Sequence, residues 1–208
     1  MYKLFIFDMD GTLIDSVDKW ADLFERTLHK YHINVPRDHL KSTFGREAAE
    51  TLHMLIPNGM AKVATHFFMT HQSEYIDTFQ VFPSSLPIFK ELKEKGFKIS
   101  IATGNNRRLM DYFLKKFGLT PYIDFCICAD DVHHGKPNPE MLIKTLEHFN
   151  LKPEEAFFVA DAPMDFLAAK GAHIKIGLVT TGVLCEDRAK ELKPACVMND
   201  LREVEKLM

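Results

Sequence analysis

The chain opens with a short apolar run, Lys3-Leu4-Phe5-Ile6-Phe7, that stops at Asp8. An unbroken run of that length is the pattern of a strand covered on both faces, as in a parallel sheet. Gly11 then allows a sharp turn. Four later segments repeat the pattern, at 98–102, 124–129, 156–160 and 174–179, the last interrupted by Lys175 and Gly177. Between them the apolar positions change to helical spacing. Leu109, Tyr112, Phe113 and Phe117 share one face before Gly118, and Leu142, Leu146 and Phe149 do so after Pro139. Strands alternating with helices predict an α/β fold, a doubly wound and mainly parallel sheet with right-handed crossovers.

Residues 16–81 break this alternation. Three helical stripes follow one another: Trp20, Leu23, Phe24, Thr27, Leu28 and Tyr31; Ala48, Thr51, Leu52, Leu55 and Ile56; then Met60, Val63, Ala64, Phe67 and Phe68. Pro36, Pro57 and Gly59 punctuate them. The expected organisation is an α/β core of residues 1–15 and 82–208 with a small helical bundle, 16–81, inserted after the first strand. Its hinges would lie near Asp15 and at Phe79–Ser84. A bundle of that size has little core of its own and should lean on the main domain.

Composition narrows the class. At 208 residues with 46% hydrophobic and 26% charged positions, the chain is an ordinary globular one, long enough to bury a full core. Lys plus Arg number 26 and Asp plus Glu 29, so the net charge is 26 − 29 = −3. No basic excess points to nucleic acid or to an anionic membrane surface, and no apolar run approaches a spanning length. The N-terminus lacks the basic region and cleavage site of a signal peptide. Cys126, Cys128, Cys185 and Cys196 form neither a C-x-x-C pair nor a zinc spacing, and the expectation is reduced thiols in a cytoplasmic protein. The 17 Phe and 10 Met are expected as core packing rather than a cofactor box.

The informative chemistry sits at strand ends. Asp8 and Asp10 stand at i and i+2 just beyond the first strand, where ligand sites of open α/β sheets lie. One carboxylate there can attack an electrophile while its neighbour moves protons, and a divalent cation is the natural compensation for two close acids. Asp15 and Ser16, and Asp10 itself, could instead cap the following helix. Thr103, Gly104 and Asn105 follow the next predicted strand and offer a hydroxyl and backbone N–H groups at a helix start, an anion site that plain N-capping would also explain. Lys136 lies in a loop stiffened by Pro137 and Pro139, with a surface lysine as the plainer reading. Asp161 and Asp165 stand at i and i+4 around Pro163, where helix capping is the alternative. Together these place acids, a hydroxyl and a lysine on one sheet edge, which is equipment for phosphoryl transfer.

With these four segments in this order the chain resembles the haloacid dehalogenase superfamily, over nearly its whole length. The first motif, D-x-D-G-T-L-x-D-S, is matched in full from Asp8 to Ser16. The helical insertion is similar to the cap of the phosphoglycolate phosphatase and β-phosphoglucomutase type. The resemblance implies that Asp8 is the nucleophile and that Asp10 protonates the leaving group and then activates water. It implies that Thr103, with the N–H groups of Gly104 and Asn105, binds the phosphoryl oxygens and that Lys136 neutralises charge. Mg²⁺ would be held by the Asp8 carboxylate, the Asp10 carbonyl and Asp161, with Asp165 supporting the metal or orienting Lys136. Two positions depart from the pattern. Ala160 stands where Gly is usual before Asp161, and Ser84 follows Pro83 where Gly is common.

The leading expectation is hydrolysis of a small phosphorylated metabolite by a monomer or weak homodimer. The alternatives are a β-phosphoglucomutase, an inorganic pyrophosphatase, or a non-catalytic binding protein on the same scaffold. In the cap, Arg46 is the candidate for a substrate carboxylate or second phosphate, against the plainer reading of a solvent-exposed arginine. Lys41, Lys62 and His66 are further cap candidates. His133 and His134 are expected as a solvated pair and Cys126 and Cys128 as core.

Overall fold

The structure, a computed structural model, describes residues 1–57 and 59–208. Strand β1 (Leu4–Phe7) is wholly buried, with Leu4 and Ile6 packed in one hydrophobic cluster and Phe5 and Phe7 in another. That division is the signature of a strand with layers on both faces. A two-residue strand β2 (Ile14–Asp15) leads into helices α1 (Val17–Lys30), α2 (Arg37–Lys41), α3 (Ala48–Leu55), α4 (Ala61–His71) and α5 (Ser73–Ile76). Strand β3 (Gln80–Val81) then pairs antiparallel with β2, Ile14 opposite Val81, so a two-stranded ribbon ties the two ends of the helical insert. The chain continues through α6 (Ser85–Glu94), β4 (Lys98–Ala102), α7 (Arg107–Lys116), β5 (Phe125–Ile127), α8 (Glu140–Phe149), β6 (Ala156–Ala160), α9 (Pro163–Gly171), β7 (Lys175–Val179), α10 (Glu186–Glu191) and β8 (Cys196–Met198).

Six strands form one parallel sheet in the order β5-β4-β1-β6-β7-β8. The expected α/β class and the parallel, doubly wound sheet are therefore present. The chain first winds outward from β1 through β4 to β5, then returns to the other side of β1 with β6. The carboxyl ends of β1, β4 and β6 thus flank the point where winding reverses, the place where such sheets bind ligands. Strand β8 was absent from the sequence expectation, because three residues ending in Met198 carry no periodicity that separates them from loop.

The insert leans on the main domain as its size requires. Trp20, Phe24, Phe68 and Phe79 belong to the same hydrophobic cluster as Phe5, Phe7 and Phe89 of the sheet layer. Helix α1 follows its expected stripe closely, burying Trp20, Leu23, Phe24, Thr27 and Leu28. The third stripe is corrected: α4 buries Ala61, Ala64 and Phe68, while Val63 is 58% and Met60 43% exposed. An apolar residue beside a stripe is not thereby inside it. The two departures from the family pattern are harmless. Ala160 is the last residue of β6 with its methyl buried in the cluster of Leu4 and Ile6, and Ser84 has φ −82°, a conformation open to any residue. Cys126 and Cys128 pack on the main cluster, where burial pushes their thiols up to about 11 and about 12. All four cysteines are free. Among the described residues no helix is long and apolar enough to cross a membrane.

Candidate active site

Asp8 extends β1 by one residue and is 4% exposed. The Lys136 ammonium reaches it across the sheet edge, donating to Asp8 Oδ1 at 2.6 Å and to Asp165 Oδ1 at 2.6 Å, with a longer bond to the Ala102 carbonyl at 3.3 Å. The Lys136 side chain is fully buried, which overturns the surface-lysine reading. Burial alone would lower its pKa, but the Asp165 and Asp8 carboxylates outweigh burial and raise it, so Lys136 is a fixed cation.

Asp161 and Asp165 are buried at the start of α9. Asp161 Oδ1 accepts from Thr12 Oγ1 at 2.8 Å and Oδ2 from the Val183 N–H at 2.9 Å. Gly11 makes room for this carboxylate: it has φ +78°, and a Cβ there would overlap Asp161. Asp165 makes contacts on both sides. Its Oδ2 takes the Ala162 N–H at 3.3 Å at the helix start, and its Oδ1 orients Lys136.

Asp8, Asp161 and Asp165 can each point one oxygen so that all three lie within 4.8 Å of one another. Three carboxylates against one lysine leave two surplus negative charges in a dry pocket. Burial pushes Asp161 well above the usual carboxylate range, helped by Asp8 and Asp165, and raises Asp165 as well. That surplus, on hard oxygen donors, fits a divalent cation. Protons and cation compete for the same oxygens. Divalent metal should therefore raise the melting temperature, and the gain should be larger at about pH 8 than at about pH 5.5, since burial raises Asp165 to about 7. Scanning calorimetry at the two pH values, with and without Mg²⁺, checks the sign.

Asp10 faces the cleft from a half-buried position and is held by three groups. Ser16 Oγ donates to Oδ1 at 2.5 Å, Trp20 Nε1 to Oδ1 at 2.7 Å, and Asn105 Nδ2 to Oδ2 at 2.6 Å. Burial, with Asp8 nearby, still raises its pKa above the ordinary range against these bonds, which suits a group that must carry a proton. Ser16 stands at the N-cap position of α1 but makes no side-chain cap bond, its hydroxyl being turned to Asp10, and Asp15 is exposed. The capping role before α7 falls instead to Asn106, which accepts from the Leu109 N–H at 2.9 Å. Thr103 is left free of it, 1% exposed. The Asn105 N–H, expected to face phosphoryl oxygens, donates instead to Thr103 Oγ1 at 3.2 Å, and it is the Asn105 side chain, through its bond to Asp10, that belongs to the site.

Gly45 to Glu47 sit just before α3 and press on the core. A Cβ on Gly104 would lie 2.9 Å from the Arg46 carbonyl oxygen, and one on Gly45 would lie 3.1 Å from Met164 Cβ. Backbone therefore packs on backbone, and the insert is closed over the site. Gly104→Ala should hold the insert off, raising KM and lowering kcat together, which steady-state kinetics would read. The exposed-arginine reading of Arg46 is corrected too. Its side chain is only 15% exposed, lines the cleft, and pairs weakly with Glu50 at 3.6 Å. Lys41 is spent on Asp18 at 2.6 Å, and Lys62 and His66 are exposed outside the cleft lining. His133 and His134 are exposed, with their N–H groups bonded to Glu140.

Known proteins place this arrangement. Pyrophosphatase PpaX of Bacillus thuringiensis (strain Al Hakam) is 26% identical over 200 residues, covering 96% of this chain and 93% of the relative, and the same figures hold for PpaX of Bacillus anthracis. Among solved structures, a protein of Bacteroides fragilis provisionally assigned as a haloacid dehalogenase-like hydrolase superposes with TM-score 0.89 at 24% identity, over 98% of this chain and 100% of that one. One of Lactobacillus plantarum, provisionally assigned as a phosphoglycolate phosphatase, gives TM-score 0.88 at 23% identity over 100% of both chains. These structures share the fold. The family profile described as haloacid dehalogenase-like hydrolase matches residues 5–179, from within β1 to the end of β7 and through Asp8, Asp10, Thr103, Lys136, Asp161 and Asp165, and the chain belongs to that family.

Proposed function

We propose that this protein is a Mg²⁺-dependent phosphatase that hydrolyses a small phosphate monoester through a phosphoaspartate on Asp8. The observation that carries this reading is the buried Lys136 bridge, 2.6 Å from both Asp8 and Asp165, beside a cluster of three carboxylates. A buried carboxylate held and aimed by a lysine at the sheet edge is a positioned nucleophile. Asp8 attacks phosphorus, the bond from phosphorus to the ester oxygen breaks, and Asp10 gives that oxygen its proton. Asp10 then takes a proton from water, which attacks the phosphoaspartate and releases inorganic phosphate. Thr103 and the backbone N–H of Gly104 bind the phosphoryl oxygens, and Lys136 neutralises the charge passing between them.

The Asp8 and Asp161 carboxylates and the Asp10 carbonyl would hold the cation, with Asp165 at its side. Bound Mg²⁺ would neutralise charge on carboxylates and phosphoryl oxygens. EDTA should stop turnover and added Mg²⁺ restore it, whereas Ca²⁺, with its larger and looser coordination, should inhibit. Arg46 supports recognition of an acceptor at the far end of the substrate. The four free cysteines fit a reducing, cytoplasmic setting, and a monomer or weak homodimer is expected by light scattering.

Phosphate release measured across phosphoglycolate, sugar phosphates, nucleoside monophosphates and pyrophosphate tests the reading, with Asp8→Asn as control. Asp8-dependent release from one ester far above the rest supports it. Release from pyrophosphate alone would favour the activity named for the PpaX relatives, which the 26% identity over most of the chain makes the second reading. Isomerisation of β-glucose 1-phosphate outpacing phosphate release would make it a mutase.

A further inference from the structure

The leaving group of the substrate must occupy the cleft between the sheet edge and the insert. On the phosphatase reading above, the ester oxygen meets Asp10, so the rest of the alcohol begins there and runs toward the insert. The first side chain it meets is Trp20. The indole N–H of Trp20 is already committed to Asp10 at 2.7 Å, which leaves only ring carbon facing the cleft at that point. Beyond it the wall is built by Phe24, Phe44, Phe68 and Met69. The rings form one packed group: Trp20 to Phe68 is 5.8 Å between centroids, Phe24 to Phe68 4.5 Å and Phe24 to Phe44 5.4 Å. Packing of that kind holds the wall in a fixed shape.

A polyhydroxylated alcohol or a second phosphate needs a partner for each oxygen it buries, because an unpaired polar group in a dry site costs more than an apolar contact returns. The insert offers few. Among the described residues Arg46 is the single cation lining the cleft, and its Nε is buried without a hydrogen bond, the Glu50 carboxylate lying 3.6 Å away. Thr51 and Gln72 are the neutral polar side chains of the insert there, and Glu47 would repel a phosphate. One guanidinium brings a single positive charge and donors on one side of the cleft only. It cannot dress a hexose or neutralise pyrophosphate.

We infer that the leaving alcohol is an apolar body of about ring size, such as an arylalkyl group, that packs on Trp20, Phe68 and Met69, and that sugars and pyrophosphate are poor substrates. The reacting end is common to all phosphate monoesters, so discrimination arises in this wall, where the apolar surface removed from water sets the preference.

The test compares kcat/KM of the Mg²⁺-loaded protein for 2-phenylethyl phosphate, glycerol 3-phosphate and pyrophosphate. The first two are primary alkyl esters and differ chiefly in the polarity of the alcohol. The expected result is a preference of about 30-fold or more for 2-phenylethyl phosphate, the order that hydrophobic pockets achieve. Met69→Gln, which keeps the size and adds an amide, should cut that ratio by about 5-fold or more. Equal or faster turnover of glycerol 3-phosphate would overturn the inference while leaving the phosphatase reading intact, and pyrophosphate turned over faster than either ester would overturn the inference and favour the second reading. A preference that survives Met69→Gln undiminished would overturn the assignment to this wall. If no ester, p-nitrophenyl phosphate included, releases phosphate in an Asp8-dependent way, the phosphatase reading falls and this inference with it.

Discussion

Asp8→Asn should lose turnover by a factor on the order of 10⁴ or more, while the protein stays folded. The substitution swaps a carboxylate for an amide of nearly the same shape. It removes the attacking oxygen, one metal donor and one of the two carboxylates held by Lys136 at 2.6 Å. Lys136 keeps its other partner, Asp165, so the buried ammonium is not orphaned. Losing the nucleophile leaves only the binding contribution of Thr103, Lys136 and the backbone N–H groups, and that residual is small once the group that changes bonds is gone. Phosphate release and circular dichroism on the same sample check both halves. Turnover near that of the unsubstituted protein would remove the covalent route.

Lys136→Met should be as damaging to activity and, unlike Asp8→Asn, should also weaken the fold. Methionine fills much of the same volume, so packing is largely kept. The charge is not. Asp8 and Asp165 would remain buried, 4% and 0% exposed, with no cation between them. Removing one partner of a buried ion pair costs about 3–5 kcal/mol, which for a chain of this length is roughly 6–20 °C of melting temperature. The sign with pH follows from the charge. Without Lys136 the two carboxylates hold protons more tightly folded than unfolded, so the native state gains protons as pH falls. The loss of stability in EDTA should therefore be smaller at about pH 5 than at about pH 8. A calorimetric series of the variant and the unsubstituted protein reads both the size and the slope. A loss that does not change with pH would mean that the lysine acts through packing rather than charge.

These two residues were legible to different degrees. Asp8 lies in a dense local motif that ends a buried apolar strand, and everything needed to single it out stands within a few residues of it. Lys136 belongs to a loop whose sequence is equally suited to the surface. Only the approach of Asp8, 128 positions away, and of Asp165, 29 positions away, makes it a buried cation. Arg46 is the same case with less local signal. An arginine ahead of a helix is ordinarily exposed, and it is the seating of its backbone on Gly104 that buries its side chain.

Local periodicity and motif order determined the parallel α/β core, the helical insert, and the acids, hydroxyl and lysine at the strand ends. These depend on which side of a strand or helix a residue occupies, and a period of two or 3.6 residues records that directly. Tertiary structure alone decided the grip of Ser16, Trp20 and Asn105 on Asp10, the bond from Thr12 to Asp161, the sixth strand and the aromatic wall of the cleft. Each of those joins groups that the chain brings together only by folding, up to 149 positions apart. Burial and pairing are properties of such contacts, and no pattern along a single segment encodes them.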